Sequence, residues 1–68
     1  MDRTLEITLT HPAAAFAATL ALESMSENPV HADGTLIALS VRERSGTIME
    51  AARRLMHAGV SAHDLVVR

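Results

Sequence analysis

The first segment of the chain, residues 4–10, alternates polar and apolar side chains without a break. Period-two alternation rich in β-branched residues predicts a strand with one buried face. We expect Leu5, Ile7 and Leu9 to point to the core and the intervening polar residues to point away.

An alanine-rich stretch follows and predicts the first helix, from Ala13 to about Ser24. Pro12 suits the first helical position, because its missing amide hydrogen would have no partner there. Thr10 or His11 would then be the cap. The i, i+3, i+4, i+7 rule gives this helix an apolar stripe of Ala13, Phe16, Ala17 and Leu20.

An Asp-Gly pair, Asp33-Gly34, lies between two β-type segments and predicts a hairpin of residues 30–32 and 35–42. Both positions of such a two-residue turn need positive φ. The predicted register pairs Ala32 with Thr35 and Val30 with Ile37. It places Val30, Ile37, Leu39 and Val41 on one face, and His31, Leu36, Ala38 and Ser40 on the other.

A charged loop, residues 42–46, leads into the second predicted helix, from Ile48 to about Ala58. Thr47 and Glu50 have the spacing of a capping box, in which each side chain satisfies the other's backbone amide. Gly59 stands where a left-handed cap is wanted, and Val60 supplies its usual apolar contact. The inner face is expected to be Ile48, Ala52, Leu55 and Met56, with Arg53 and Arg54 mostly outside.

The order strand, helix, strand, strand, helix, strand indicates a two-layer α+β fold of the ferredoxin-like βαββαβ kind, with a last strand at residues 63–68. Both helices would cover one face of a four-stranded antiparallel sheet. Right-handed crossovers favour the spatial strand order 4-1-3-2. The open face, which suits a dimer or docking contact, would carry Thr4, Glu6, Thr8, Leu36, Ala38 and Ser40.

The length of 68 residues allows a single domain, residues 1–68, with a small core. Such scaffolds depend on disulfides, a metal or association. Cysteine is absent, so we expect a homodimer or attachment to a larger chain. The chain stops while still in strand pattern, and we expect a fragment of a longer protein. Its longest apolar run is too short to span a membrane, which predicts a cytoplasmic location.

Composition and motif spacing point away from several classes of function. Six arginines, no lysine, eight acids and one aromatic residue give neither a basic stripe nor a stacking platform for nucleic acid. The histidines lack metal-ligand spacing, and the glycines belong to no phosphate-binding motif, so neither metal nor cofactor is expected. No serine has a nucleophile elbow. The histidines are His11, His31, His57 and His63.

The only concentrated charge is a group of arginines, Arg42, Arg44, Arg53 and Arg54, diluted by Glu43 and Glu50. A solvated surface is the plainer interpretation of mixed charges. A protein-contact surface is the functional hypothesis, and it comprises Leu36, Ala38, Ser40, Arg42, Arg44, Arg53 and Arg54. Met25, Met49 and Met56 are interpreted as core fillers.

Taken together, the segments resemble the small C-terminal domain that follows the nucleotide-binding domain in ABC exporter ATP-binding subunits of the daunorubicin-resistance type. The resemblance comprises the opening strand Thr4-Leu5-Glu6-Ile7-Thr8-Leu9, the alanine-rich helix, the hairpin, the turn Ala58-Gly59-Val60 and the closing strand Asp64-Leu65-Val66-Val67-Arg68. It implies a non-catalytic accessory domain that regulates or dimerises the ATPase subunit, or contacts the membrane subunit. Any membrane association would then be indirect, and ATP hydrolysis would belong to an upstream domain.

Two alternatives stay open. Ferredoxin-like domains of the amino-acid-binding regulatory kind sense small molecules, although the loop at residues 10–12 has no glycine for a close backbone approach. A small enzyme of the dimeric α+β barrel kind would use His11 or His31, but fold analogy alone supports it.

Overall fold

The computed structural model describes residues 2–42 and 46–68, so Arg44 and most of the predicted charged loop lie outside the described residues. The strands are β1 (Asp2–Leu9), β2 (His31–Asp33), β3 (Leu36–Arg42) and β4 (Ala62–Val67). The helices are α1 (Ala15–Leu22) and α2 (Thr47–His57). Short 3₁₀ turns, Pro12–Ala14 and Glu23–Met25, extend α1 at its two ends. Neither helix of the described chain has both the length and the hydropathy that crossing a membrane requires.

The four strands form one antiparallel sheet in the order β2-β3-β1-β4. β3 and β1 are therefore the inner strands, and β2 and β4 are the edge strands of the sheet. Read from β4, the order is 4-1-3-2. The β1–β4 register shifts between Thr8 and Leu9. The chain is therefore an α+β domain with a four-stranded antiparallel sheet and two helices.

The core lies between one face of this sheet and the two helices. As the alternation predicts, Leu5, Ile7 and Leu9 of β1 are buried, and the same face carries the buried side chains of β3. Among the described residues, no polar or charged side chain is buried. The core comprises Leu5, Ile7, Leu9, Ala18, Leu22, Ile37, Leu39, Val41, Ala51, Leu55 and Val60.

The β2–β3 hairpin forms, but its predicted register is wrong. Asp33 pairs with Leu36 and Ala32 with Ile37, so the turn residues are Gly34 and Thr35. Gly34 has a φ of 62°, whereas no non-glycine residue of the described chain has a positive φ. A turn whose positive φ lies at its first central position takes glycine there. Asp33 consequently remains in the strand.

Of the predicted apolar stripe of α1, Ala17 packs against the core, but its large members Phe16 and Leu20 do not. Ala18 and Leu22 are buried against the sheet, whereas Phe16 is 75% exposed and Leu20 is 54% exposed. Only Thr19 interrupts the apolar residues of this helix. Because the helix is apolar on every side, periodicity alone could not select the face that the sheet covers.

The N-cap of α2 is Gly46, whereas the predicted capping box needs Thr47 at that position, and the buried face of the helix is rotated from the predicted one. Thr47 is already the first helical residue, and the Glu50 amide donates to the Gly46 carbonyl oxygen at 2.8 Å. Ala51 and Leu55 are buried. The other residues predicted for the inner face, Ile48, Ala52 and Met56, are exposed. Met49, interpreted from the sequence as a core filler, is exposed as well.

The C-terminal end of α2 confirms the predicted cap. Gly59 has a φ of 73°, and the Val60 amide donates to the Leu55 carbonyl oxygen at 2.9 Å. Val60 is buried. This combination satisfies carbonyl groups at the helix end and directs the chain back toward the sheet.

Replacing Leu22 with alanine is expected to lower the free energy of unfolding by about 3 kcal/mol, because it removes a fully buried side chain and leaves a cavity. Leu20→Ala is the matched control on the same helix and should cost well under about 1 kcal/mol. Urea denaturation followed by circular dichroism measures both. Equal losses for the two variants would contradict the observed orientation of α1.

Candidate protein-contact surfaces

The structure separates the residues of the predicted contact surface into two layers. Leu36, Ala38, Ser40 and Arg42 alternate along β3 on the face opposite the core, the open face of the sheet. Arg53 and Arg54 lie on α2, on the other side of the sheet. The predicted residues therefore do not form one continuous patch, although each described one reaches the surface at least in part.

The described arginines of this set are paired with glutamates of the same chain. The Arg42 Nε lies 3.9 Å from Glu27 Oε1. Arg53 Nη2 donates to both carboxylate oxygens of Glu50, at 2.8 and 2.7 Å, and Arg54 Nε donates to Oε2 at 2.8 Å. These pairings reduce the net positive charge, which disfavours a role in binding an anionic partner.

Glu50 and Arg54 together connect the two helices. Arg54 Nη1 donates to the Ala21 carbonyl oxygen at 3.4 Å and to the Ser24 hydroxyl, both near the end of α1. The hydrogen bonds from Arg53 and Arg54 hold the pKa of Glu50 below its ordinary value, and the bond to Glu50 raises the pKa of Arg53. The sequence prediction missed this function of Arg54, which is less exposed than Arg53.

A polar cleft of about 380 Å³ lies where the end of α1, the end of β3 and the start of α2 meet. Its charged side chains are two glutamates and two arginines, so its formal charges balance. Its lining is Ser24, Met25, Glu27, Val41, Arg42, Gly46, Thr47, Glu50 and Arg54. No histidine contributes to it.

The four histidines are exposed and lie on separate elements. Within residues 2–42 and 46–68, no group of three or more His, Asp or Glu side chains is placed to hold a metal ion.

The outer side of the helix layer carries an apolar surface that the sequence prediction placed in the core. Its members on α1 are Phe16 and Leu20, and those on α2 are Ile48, Met49 and Met56. Met49 is 75% exposed and Met56 is 72% exposed. The sequence did contain a sign of this exposed surface, because both helices have more apolar residues than a single face packed against a sheet requires.

An apolar groove of about 420 Å³ runs between α2 and the edge strand β4. Ala52 and Met56 line it from the helix, and Leu65 lines it from the strand. The other residues that line it are Leu55, Gly59, Val60, Ser61 and Ala62. This groove is the part of the described surface where exposed apolar side chains and an unpaired strand edge meet.

Arg54→Met is expected to lower the free energy of unfolding by about 1 kcal/mol, since it removes half-exposed hydrogen bonds from α2 to the end of α1. Arg53→Met is the matched control, because Arg53 also pairs with Glu50 but has no such bond to α1. Its unfolding free energy should fall by less than that of Arg54→Met, since Arg53→Met removes only the exposed pairing with Glu50. Chemical denaturation of both variants tests the connection between the helices, and a larger loss for Arg53→Met would refute it.

The lowered pKa of Glu50 predicts how stability depends on pH. A carboxyl group with a lower pKa when folded stabilises the fold above its unfolded pKa, and this stabilisation disappears as the pH falls through the folded value. The unfolding free energy should therefore decrease below the ordinary pKa of 4.5. Glu50→Gln should flatten this decrease, because the carboxyl group that titrates is lost. Identical pH profiles for Glu50→Gln and the parent chain would contradict the prediction.

No protein-family model, curated protein or solved structure matches this chain.

Proposed function

We propose that this chain is a non-catalytic accessory domain of ferredoxin-like fold that regulates or dimerises the ATP-binding subunit of an ABC-type drug exporter. The strand order β2-β3-β1-β4, with two helices in the connections after β1 and β3, supports the ferredoxin-like part of the proposal. The resemblance to daunorubicin-resistance-type subunits supports the exporter part. In this role the domain lies in the cytoplasm, at the inner surface of the membrane.

The apolar outer surface of the helices is the observation that carries a protein-contact role. Phe16 and Met49 are each three-quarters exposed, and Leu20, Ile48 and Met56 add to the same layer. Each large apolar side chain removed from water contributes about 1.5–3 kcal/mol. Covering this layer with another protein surface would therefore stabilise a complex substantially.

The interior and the cleft favour a contact role over catalysis. The described core is wholly apolar, and the charged side chains of the cleft include the ion-paired Glu50 and Arg54. An active site usually holds titratable groups whose pKa values are shifted by burial. Here the resolved shifts come from ion pairs at the surface.

A small-molecule sensor is the second candidate, because the polar cleft falls within the roughly 300–1,000 Å³ range of ligand pockets. It predicts stabilisation by the correct metabolite, about 2.7 kcal/mol at a hundredfold excess over Kd. A thermal-shift screen of amino acids and other small metabolites separates it from an accessory domain, which should show no such shift.

The contact role is tested by binding to a purified ATP-binding subunit of a daunorubicin-resistance-type exporter whose own C-terminal domain has been removed. Biolayer interferometry should detect a complex, and Phe16→Ser/Leu20→Ser should weaken it about tenfold or more, since it removes apolar contact area. Leu36→Ser is the matched control, because Leu36 is an exposed apolar residue on the opposite layer. Absence of binding would refute the exporter assignment. Equal effects of the helix variant and of Leu36→Ser would refute the helix surface as the contact site.

A further inference from the structure

We infer that two copies of this chain associate through the edge of β4 and the adjoining side of α2, in an antiparallel pairing centred on Val66. The inference rests on the proposed contact role and names one partner, a second copy. It would join the two sheets across β4 and bring the two grooves together.

The two edges of the sheet differ in what they offer a partner. β2 has only three residues, all exposed, and Pro29 precedes it closely. Short edge strands and nearby proline discourage pairing with another sheet. β4 is longer and includes Leu65, Val66 and Val67 in succession. It is therefore the edge better suited to accept another strand.

Backbone hydrogen bonds show which groups of β4 point outward. The Arg68 amide donates to the Thr4 carbonyl oxygen at 2.8 Å, and the Thr4 amide donates to the Arg68 carbonyl oxygen at 3.4 Å. Because such pairs alternate along an antiparallel ladder, the N–H and C=O groups of Leu65 and Val67 face the free edge. In the proposed register, Leu65 lies opposite the partner's Val67 and exchanges both hydrogen bonds with it.

Charge complementarity selects this register. Asp64 and Arg68 lie on the open face, on the same side as Val66, and a centre at Val66 sets Asp64 opposite the partner's Arg68. Symmetry repeats this contact. Arg68 engages Glu6 through its Nε, so its terminal nitrogens can still donate to Asp64. A centre at Leu65 would instead set Asp64 against the partner's Val66.

The side of α2 that faces the groove completes the contact. α2 packs against β4, and Ala52 and Met56 line the groove from the helix, with Ile48 four residues before Ala52 continuing this stripe along α2. Antiparallel pairing puts the two helix layers on the same side of the joined sheet, so the two α2 helices, each in contact with its own β4, lie on either side of the joined edges. The middle residue of this stripe, Ala52, is small and lets the two helices approach closely.

A cross-linking experiment tests the centre of the pairing. Val66 would face the partner's Val66 as a non-hydrogen-bonded pair, with Cα atoms about 4.5 Å apart, which a disulfide can span. The chain has no cysteine, so Val66→Cys introduces a unique thiol. Mild oxidation should give a covalent dimer about tenfold faster than for Ala38→Cys, a control on the same face of β3. Equal rates would overturn the assignment of Val66 to the centre.

A charge exchange tests the register. Asp64→Arg and Arg68→Asp should each weaken self-association about tenfold or more in sedimentation equilibrium, because each sets like charges opposite one another. The double variant should restore association to near that of the parent chain. Asp33→Arg, an equal charge change on β2, should leave it unchanged, and circular dichroism confirms that each variant folds. Failure of the double variant to recover would overturn the register.

The outcomes distinguish this inference from the proposed function. A parent chain that stays monomeric at millimolar concentration overturns the dimer, even if it binds an ATP-binding subunit. A dimer insensitive to the changes at positions 64, 66 and 68 uses another surface and also overturns the inference. Association through β4 without binding to the ATP-binding subunit supports the inference and refutes the exporter assignment.

Discussion

Burial of one sheet face beneath two short helices is the interaction on which the rest of this structure depends. β1 is an inner strand, paired with β3 and with β4, and its alternation supplies three buried side chains to the covered face. The helices need only a narrow stripe to cover that face, Ala18 with Leu22 and Ala51 with Leu55. Their remaining apolar side chains consequently stay outside. A chain of this size cannot build a second core to enclose them.

Polar contacts link the two helices that lie on the sheet. Glu50 receives hydrogen bonds from Arg53 and Arg54, and Arg54 continues to Ala21 and Ser24 at the end of α1. These contacts favour the rotation of α2 in which Arg54 faces α1 and Ala51 faces the sheet. The same rotation directs Ile48, Met49 and Met56 toward solvent. The surface ion pairs thus have little stabilising effect individually but influence which apolar residues remain available to a partner.

Sequence reasoning succeeded where one physical requirement dominated. The alternation of β1 and β3 identified their buried residues, and Gly59 was recognised because a left-handed helix end strongly prefers glycine. It failed where two arrangements satisfied the same local pattern. α1 is apolar all round, α2 has two overlapping apolar stripes, and Asp33-Gly34-Thr35 allows either of two neighbouring turns. The sequence could predict that the residues of the candidate contact surface are exposed. It could not predict that they lie on two different layers, the sheet and α2, because that depends on the tertiary arrangement.

The exposed apolar side chains of α1 and those of α2 lie over different parts of the sheet, so this small domain can make two separate contacts. α1 packs against β3 and β2, at the side of the sheet away from β4. In the dimer that we propose, Phe16 and Leu20 therefore lie outside the joined edges, while Ile48, Ala52 and Met56 are covered. Because a two-fold arrangement uses the same patch on both copies, it closes, and the edges of the described sheet that stay free are the short β2 strands. Dimerisation would thus stabilise the fold by mass action and still present α1 to another subunit.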